Sequence, residues 1–381
     1  MGGGFENQFC TILDRGYLAQ GLVLYRSLSA TCDAFLLRVW CVDRASRDLL
    51  DRMALPGLVT IAAEELERHD PELRAVREQR TLAEYCMTAK APLCLYVLHR
   101  EPHLGSITYL DADLMFISDP VALFAKAAGD SILIVPQHNR ECHVDSVHGS
   151  YQAGSVGFRR DDAGVAALRW WRERCLESCS LEPRDGRWAD QRYLEDWPER
   201  FPGVHVHEHA GVGLASWNSP RYALSRGTRG PLVDGRPVVF YHYSGLRMYS
   251  GLTGLRRAGL LAGTYNLVRR PLPIVWRQAW WAQSPAEQEL LWVPYLKALG
   301  QATLDLRRLD PGFTLRSVAG WPDLRARATA AACSRVSAGW RAICRHVRKV
   351  RPRRRLRRGL RLLRRGLSQT QKALKSVERH L

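Results

Sequence analysis

Short apolar runs alternate with amphipathic stretches along the first 250 residues. The spacing predicts strands over 9–14, 36–43, 58–62 and 106–110, near 131–136 and 154–159, and over 237–243. Between them it predicts helices over 17–30, 45–54, within 64–100 and over 161–178. Alternation of this kind supports an α/β architecture with a mainly parallel, doubly wound sheet, whose functional loops lie at the strand ends. No internal repeat or heptad array interrupts it.

One break in the pattern carries chemistry. The apolar run Ile107, Tyr109, Leu110 ends in Asp111-Ala112-Asp113, and Leu114-Met115-Phe116-Ile117 follows at once. A polar break this short between buried segments is unlike an ordinary surface turn. Positions i and i+2 of an extended segment face the same side, so both carboxylates can meet one cation at a strand's C-terminal end. A hard divalent ion held by two or three protein groups keeps positions open for the diphosphate of a nucleotide. His242 follows the apolar run Val238-Val239-Phe240-Tyr241 and so also falls at a strand end. It would complete a metal set of Asp111, Asp113 and His242, and the mixed oxygen and imidazole donors suit manganese better than calcium. A purely structural His242, and Asp190 as a plain helix N-cap, are the bland alternatives.

With these residues in place the chain resembles the GT-A-fold glycosyltransferases (nucleotide-diphospho-sugar transferases) of the glycogenin and bacterial lipopolysaccharide galactosyltransferase type. The motifs, in order, are Phe9-Cys10-Thr11-Ile12-Leu13-Asp14 with Tyr17, Arg38 to Asp43, and Tyr109 to Phe116 with Asp119-Pro120. Then come Tyr151-Gln152-Ala153-Gly154, Trp188-Ala189-Asp190-Gln191, Trp217-Asn218 and His242-Tyr243-Ser244-Gly245. The match covers roughly residues 5 to 250. The resemblance implies a doubly wound mixed sheet and a retaining transfer of a sugar, with UDP-hexose as donor and Mn2+ (or Mg2+) as cofactor.

It also implies roles. Thr11, Asp14, Tyr17, Lys90, Asp111, Gln152, Gly154, Asn218, Gly245 and Arg247 fall where the family contacts the donor. Asp190 and Gln191 would lie beside the anomeric carbon as the catalytic pair. A cation at Lys90 would stabilise the charge that builds on the leaving phosphate, although a solvated helix face explains a lone lysine equally well. Two departures stand out: Gln152 replaces the asparagine of the sugar-binding turn, and Met248 replaces a lysine, leaving Arg247 to bind the diphosphate bidentately.

Charge is unevenly spread. Residues 341–381 hold 16 of the 56 basic residues and one acid, Glu378, and so carry +15 of the net +18. Leucines and valines spaced among those arginines give an apolar stripe against a cationic face, the composition of a segment that lies on an anionic membrane. Nucleic acid is the weaker partner, since no aromatic-interleaved basic platform appears elsewhere. The expected organisation is a catalytic domain over 1–269, a tryptophan-rich helical appendix over 270–330 and a basic amphipathic tail over 331–381.

Ten cysteines lie scattered without a Cys-x-x-Cys, which suggests a reducing compartment. The first residues lack a signal-peptide pattern, and no run of 18 apolar residues occurs. The expectation is a cytoplasmic enzyme, peripheral on the cytosolic face of the membrane, acting on a cell-surface glycan or lipid-linked acceptor. Two other readings exist. A haloacid-dehalogenase-type phosphohydrolase also begins from Asp-x-Asp, but Met115 stands where it needs Thr or Val. A non-catalytic glycan- or membrane-binding protein with a transferase-like fold is the rival from a different class.

Overall fold

The structure is a computed structural model and describes residues 6–124, 126–138, 148–183, 185–249, 266–268, 274–278 and 283–315. The strands are β1 Gln8–Leu13, β2 Leu36–Cys41, β3 Leu58–Ala62, β4 Ser106–Leu110, β5 Leu114–Phe116, β6 Ile132–Pro136, β7 Tyr151–Arg159 and β8 Val204–Val206. Shorter ones follow: β9 Leu214–Ala215, β10 Leu224–Gly227, β11 Gly230–Val233, β12 Arg236–Pro237, β13 Phe240–His242, β14 Leu246–Tyr249, β15 Asn266–Val268 and β16 Ile274–Gln278. The helices are α1 Leu18–Thr31, α2 Arg44–Met53, α3 Ala63–His69, α4 Pro71–Ala75, α5 Leu82–Thr88 and α6 Lys90–Arg100. After them come α7 Val121–Phe124, α8 Asp162–Glu177, α9 Trp197–Arg200, α10 Pro285–Glu287 and α11 Val293–Leu309.

The main sheet has the order β3-β2-β1-β4-β7-β6-β8. β1 pairs in parallel with β2 and β4, and β2 with β3, whereas β7 runs antiparallel to both β4 and β6. The expected mixed, doubly wound α/β sheet is therefore present, with antiparallel pairing confined to β7. Alternate residues of β1 feed two cores. Phe9 and Leu13 face a cluster with Leu22 and Leu28 of α1 and Tyr295, Leu296 and Leu299 of α11. Cys10 and Ile12 face a cluster with Leu93 and Val97 of α6 and Leu168 and Trp171 of α8. Burial on both faces is why the parallel strands read as continuous apolar runs rather than as alternating ones. Each fully buried leucine or aromatic side chain in these layers contributes about 1.5–3 kcal/mol.

Within the expected helical appendix, residues 285–309 are helical and α11 packs on α1, while Ile274–Gln278 forms a strand between β14 and β15. The helical part shares the core of the sheet: Leu291, Trp292 and Tyr295 are fully buried with the α1 side chains. The strands β8 to β11 are not legible in the sequence, because they are two to four residues long and contain or adjoin glycine or proline, and the strand expected over 237–243 is split into β12, ending at Pro237, and β13, Phe240–His242. The basic tail over 331–381 lies outside the described residues. Among the described residues no helix is long and apolar enough to cross a membrane, and Cys10, Cys32, Cys41, Cys86, Cys94, Cys175 and Cys179 are free thiols.

Candidate active site

The Asp111-Ala112-Asp113 segment is a tight turn between β4 and β5. The Leu114 amide donates to the Asp111 carbonyl at 3.2 Å, and β5 then pairs antiparallel with β13 so that Leu114 stands opposite His242. A second backbone bond, from the Tyr243 amide to the Asp113 carbonyl at 2.9 Å, holds the two segments in register. Strand pairing thus brings together residues 129 positions apart: His242 Nε2 lies 3.1 Å from Asp113 Oδ1 and 3.8 Å from Asp111 Oδ2. Burial works against the Asp113 carboxylate, but the adjacent His242 charge and hydrogen bond outweigh it and hold its pKa below the usual range. The same pair raises the His242 pKa against the opposing effect of burial.

Lys90 opens α6 and is buried, with 6% of its side chain exposed, so the solvated-face reading does not hold. Its Nζ lies 3.0 Å from Asp111 Oδ1 and 2.9 Å from Asp190 Oδ2 and donates to the Ala153 carbonyl at 3.1 Å. Burial disfavours its charge, yet the two carboxylates more than compensate and raise its pKa. Asp111 Oδ1 also accepts from the Tyr109 hydroxyl at 3.0 Å. One oxygen of Asp111 is thereby committed to Lys90 and Tyr109, and Oδ2 is the one nearer His242.

The wall behind this cluster needs a glycine. Relative to β6, strand β7 shifts register between Val135, opposite Gln152, and Ile134, opposite Val156, so Ala153 to Ser155 bulge out of that pairing. Gly154 accepts from the Asp111 amide at 2.8 Å. A Cβ there would fall 2.7 Å from His242 Cε1 and 3.0 Å from Asp111 Oδ2.

Asp111, Asp113 and His242 each offer one ligand atom, and these atoms lie within 4.8 Å of one another. Neighbouring ligands around a six-coordinate ion with bonds of about 2.1 Å lie about 3 Å apart, and the 3.1 Å between His242 and Asp113 matches that spacing. His242 Nδ1 is buried without a hydrogen-bond partner, so Nε2 is the ring atom engaged with the carboxylates. The set fits a divalent cation of the oxygen- and imidazole-accepting kind.

Asp190 stands at the N-cap position of the 3-10 turn Gln191–Leu194, but its side chain caps nothing; it turns to Lys90 instead. Burial raises its pKa and the Lys90 charge opposes that. The preceding Ala189 adopts φ +48, a left-handed conformation that costs a non-glycine residue about 1–3 kcal/mol and clusters at functional sites. Gln191 Nε2 donates to the His148 carbonyl at 2.7 Å.

A cleft of about 580 Å³ gathers Asp14, Tyr17, Lys90, Asp111, Asp113, Gly154, Asp190, Gln191 and His242. Thr11, Gln152, Asn218 and Gly245, also singled out in the sequence, stand apart from its lining. Thr11 is fully buried in β1. Gln152 turns inward and donates to the Pro136 and Gly213 carbonyls at 3.0 and 2.8 Å. Asn218 closes the 215–218 turn by accepting from the Ala215 amide at 2.8 Å. Gly245 takes φ +78, a conformation that favours glycine, and the backbone of Arg247 belongs to β14, its side chain lying outside what is described.

Sequence reasoning did not pick out Gln137, His148 or Trp217 as lining, nor Glu287 beneath them. Trp217 packs edge-on against His242, with ring centroids 5.4 Å apart. Below them the buried Glu287 carboxylate accepts from Ser216 Oγ at 2.9 Å, from Ser219 Oγ at 2.8 Å and from the Tyr241 hydroxyl. Those three donors flank Trp217 and precede His242. No sequence signal marks a lone glutamate 45 residues downstream of the histidine.

No protein-family model matches the chain. It is 35% identical over 254 residues to the uncharacterized protein YfnF of Bacillus subtilis (strain 168), spanning 64% of this chain and 82% of that protein. It is 32% identical over 244 residues to YfnD of the same organism, spanning 63% and 78%. Among solved structures, the galactosyltransferase LgtC in complex with donor and acceptor sugar analogues matches 62% of this chain and 87% of its own, at 16% identity and a TM-score of 0.41. Mouse xyloside xylosyltransferase 1 matches 62% and 97%, at 12% identity and 0.41. The glycosyltransferase GlyE of Streptococcus pneumoniae TIGR4 matches 82% and 66%, at 13% identity and 0.42.

Proposed function

The chain belongs to the family of YfnF and YfnD, and we propose that it is a metal-dependent glycosyltransferase. In this reading it moves a hexose from UDP, with retention of configuration, to a hydroxyl of a cell-surface glycan or lipid-linked acceptor. The observation that carries the reading is the buried Lys90, which joins the Asp111 end of the Asp-Asp-His cluster to Asp190 across one cleft. Burying a lysine between two carboxylates carries a large desolvation cost, and charged clusters of this kind concentrate at functional sites.

Asp111, Asp113 and His242 would hold the ion, manganese or magnesium. A bound ion of this kind supplies Lewis-acid neutralisation of the diphosphate as the anomeric bond breaks. Lys90 keeps its proton and sits against both carboxylates, its charge opposing the upward push that burial exerts on Asp190. Asp190 and Gln191 would border the sugar, and Asp14 and Tyr17 the nucleoside. Gln152 and Asn218, facing inward, would act by shaping the wall rather than by touching the donor. The basic tail would hold the enzyme on an anionic membrane, near a lipid-linked acceptor.

Calorimetric titration of UDP, GDP and CDP, with and without Mn2+, tests this on the wild type and on Asp113→Ala. Manganese-dependent binding of UDP that disappears in the variant is expected. Absence of binding by all three nucleotides would overturn the transferase reading. Manganese-dependent hydrolysis of a UDP-sugar separates a live transferase from a binding module.

A further inference from the structure

The floor of the cleft is charged, whereas one stretch of its rim is apolar. Asp14 follows β1 directly and Tyr17 stands at the N-cap of α1, while Asp111 and Asp113 follow the adjacent β4. Beyond Asp190 and Gln191 the lining changes to Leu82 and Met87 of α5, Leu181, Trp188 and His148. Among the described residues four large hydrophobic side chains stay exposed, Val59, Leu82, Val121 and Leu181, and two of the four lie on this rim, at 49% and 38% exposure. Scattered exposed leucines need no explanation, but two on one cleft point to a ligand.

The rim is braced. Glu84 closes a capping box with Thr81 at the start of α5, and its other oxygen accepts from the Leu181 amide at 3.0 Å. Leu82 and Leu181 are therefore held as neighbours. Trp188 Nε1 donates to the Leu181 carbonyl at 3.1 Å, and its ring meets His148 edge-on at 4.4 Å.

We infer that this rim seats an apolar aglycone of the acceptor, an alkyl or aryl group attached close to the reacting hydroxyl. The inference rests on the transferase reading of the cleft. A nucleoside is the other flat ligand available, but a diphosphate held at the Asp-Asp-His cluster directs its nucleoside toward Asp14 and Tyr17, on the β1 side. The rim adjoins Gln191 through His148 and Trp188, beside the pair that the transferase reading sets against the sugar. A wholly hydrophilic sugar would leave both leucines in water, whereas an alkyl or aryl group covers them.

The test is calorimetric titration of methyl, octyl and phenyl β-D-glucoside into the full chain with UDP and Mn2+, the octyl compound kept below micelle formation. The same titrations follow on Leu82→Asp and Leu181→Asp. Leu82 is the first residue of α5, where an acid suits the helix terminus, so that variant is expected to fold; unchanged thermal midpoints check both. Octyl or phenyl glucoside should bind at least about tenfold more tightly than methyl glucoside, with either variant losing that advantage. A lead for octyl identifies a lipid as source, and a lead for phenyl an aromatic aglycone. Equal binding by all three, no binding by any, or an advantage that survives both substitutions overturns the inference. Failure of UDP and Mn2+ to bind the wild type would overturn the transferase reading itself.

Discussion

Replacing Lys90 by methionine should destabilise the fold by about 3–5 kcal/mol, the penalty for removing one partner of a buried ion pair. The magnitude follows from where the charges sit. Lys90 and Asp190 are 6% and 4% exposed at the side chain, whereas Asp111 keeps 24% and can be rehydrated. Methionine fills the volume of the lysine stem, so the loss measures an uncompensated Asp190 charge and the lost bond to the Ala153 carbonyl rather than a cavity. At the average unfolding entropy per residue, the unit spanning residues 1–318 has roughly 0.67 kcal/mol/K, which turns the loss into a midpoint shift of roughly 4–8 °C. Scanning calorimetry of the wild type, Lys90→Met, Asp190→Asn and the double variant closes the cycle. The double variant, with no buried lone charge at Asp190, should recover to within about 2 kcal/mol of the wild type. A loss below about 1 kcal/mol in Lys90→Met, the size of a surface pair, or a double variant no better than the single, would refute the reasoning.

Gly154→Ala places a Cβ 2.7 Å from His242 Cε1 and 3.0 Å from Asp111 Oδ2. Overpacking of about 1–3 kcal/mol and a fall of about 10–100-fold in Mn2+ affinity are expected, and unchanged titration and melting curves would contradict the crowded wall. His207 is buried with Nε2 2.7 Å from the Leu123 carbonyl, and burial pushes its pKa down to about 4. The unfolded chain takes up this proton near pH 6.5 and the folded chain only near 4. The contribution is therefore intact above about pH 6.5 and is lost as pH falls toward 4, by about 1.4 kcal/mol per pH unit and about 3 kcal/mol in all. Urea denaturation of the wild type and His207→Gln at pH 7, 5.5 and 4.5 checks it, and equal pH slopes would remove His207 as the cause.

The sequence by itself determined the layered sheet and the carboxylate pair. Both are local. Apolar runs of five or six residues mark strands buried on both faces, as β1 with its two cores illustrates, and the spacing of Asp111 and Asp113 needs only the turn that follows β4. Lys90, Asp190, Gln191 and His242 were legible as an ordered set, but their proximity was not, since each comes from a different element. The tertiary structure decided which side chains face the cleft. It turned Gln152 and Asn218 inward onto backbone carbonyls, buried Lys90 between two carboxylates and set Glu287 beneath Trp217 and His242. Such choices depend on strand register, a bulge in β7 and a helix packed from near residue 300 onto one near residue 20. Non-local pairings of that kind leave no periodic trace in the residues they join.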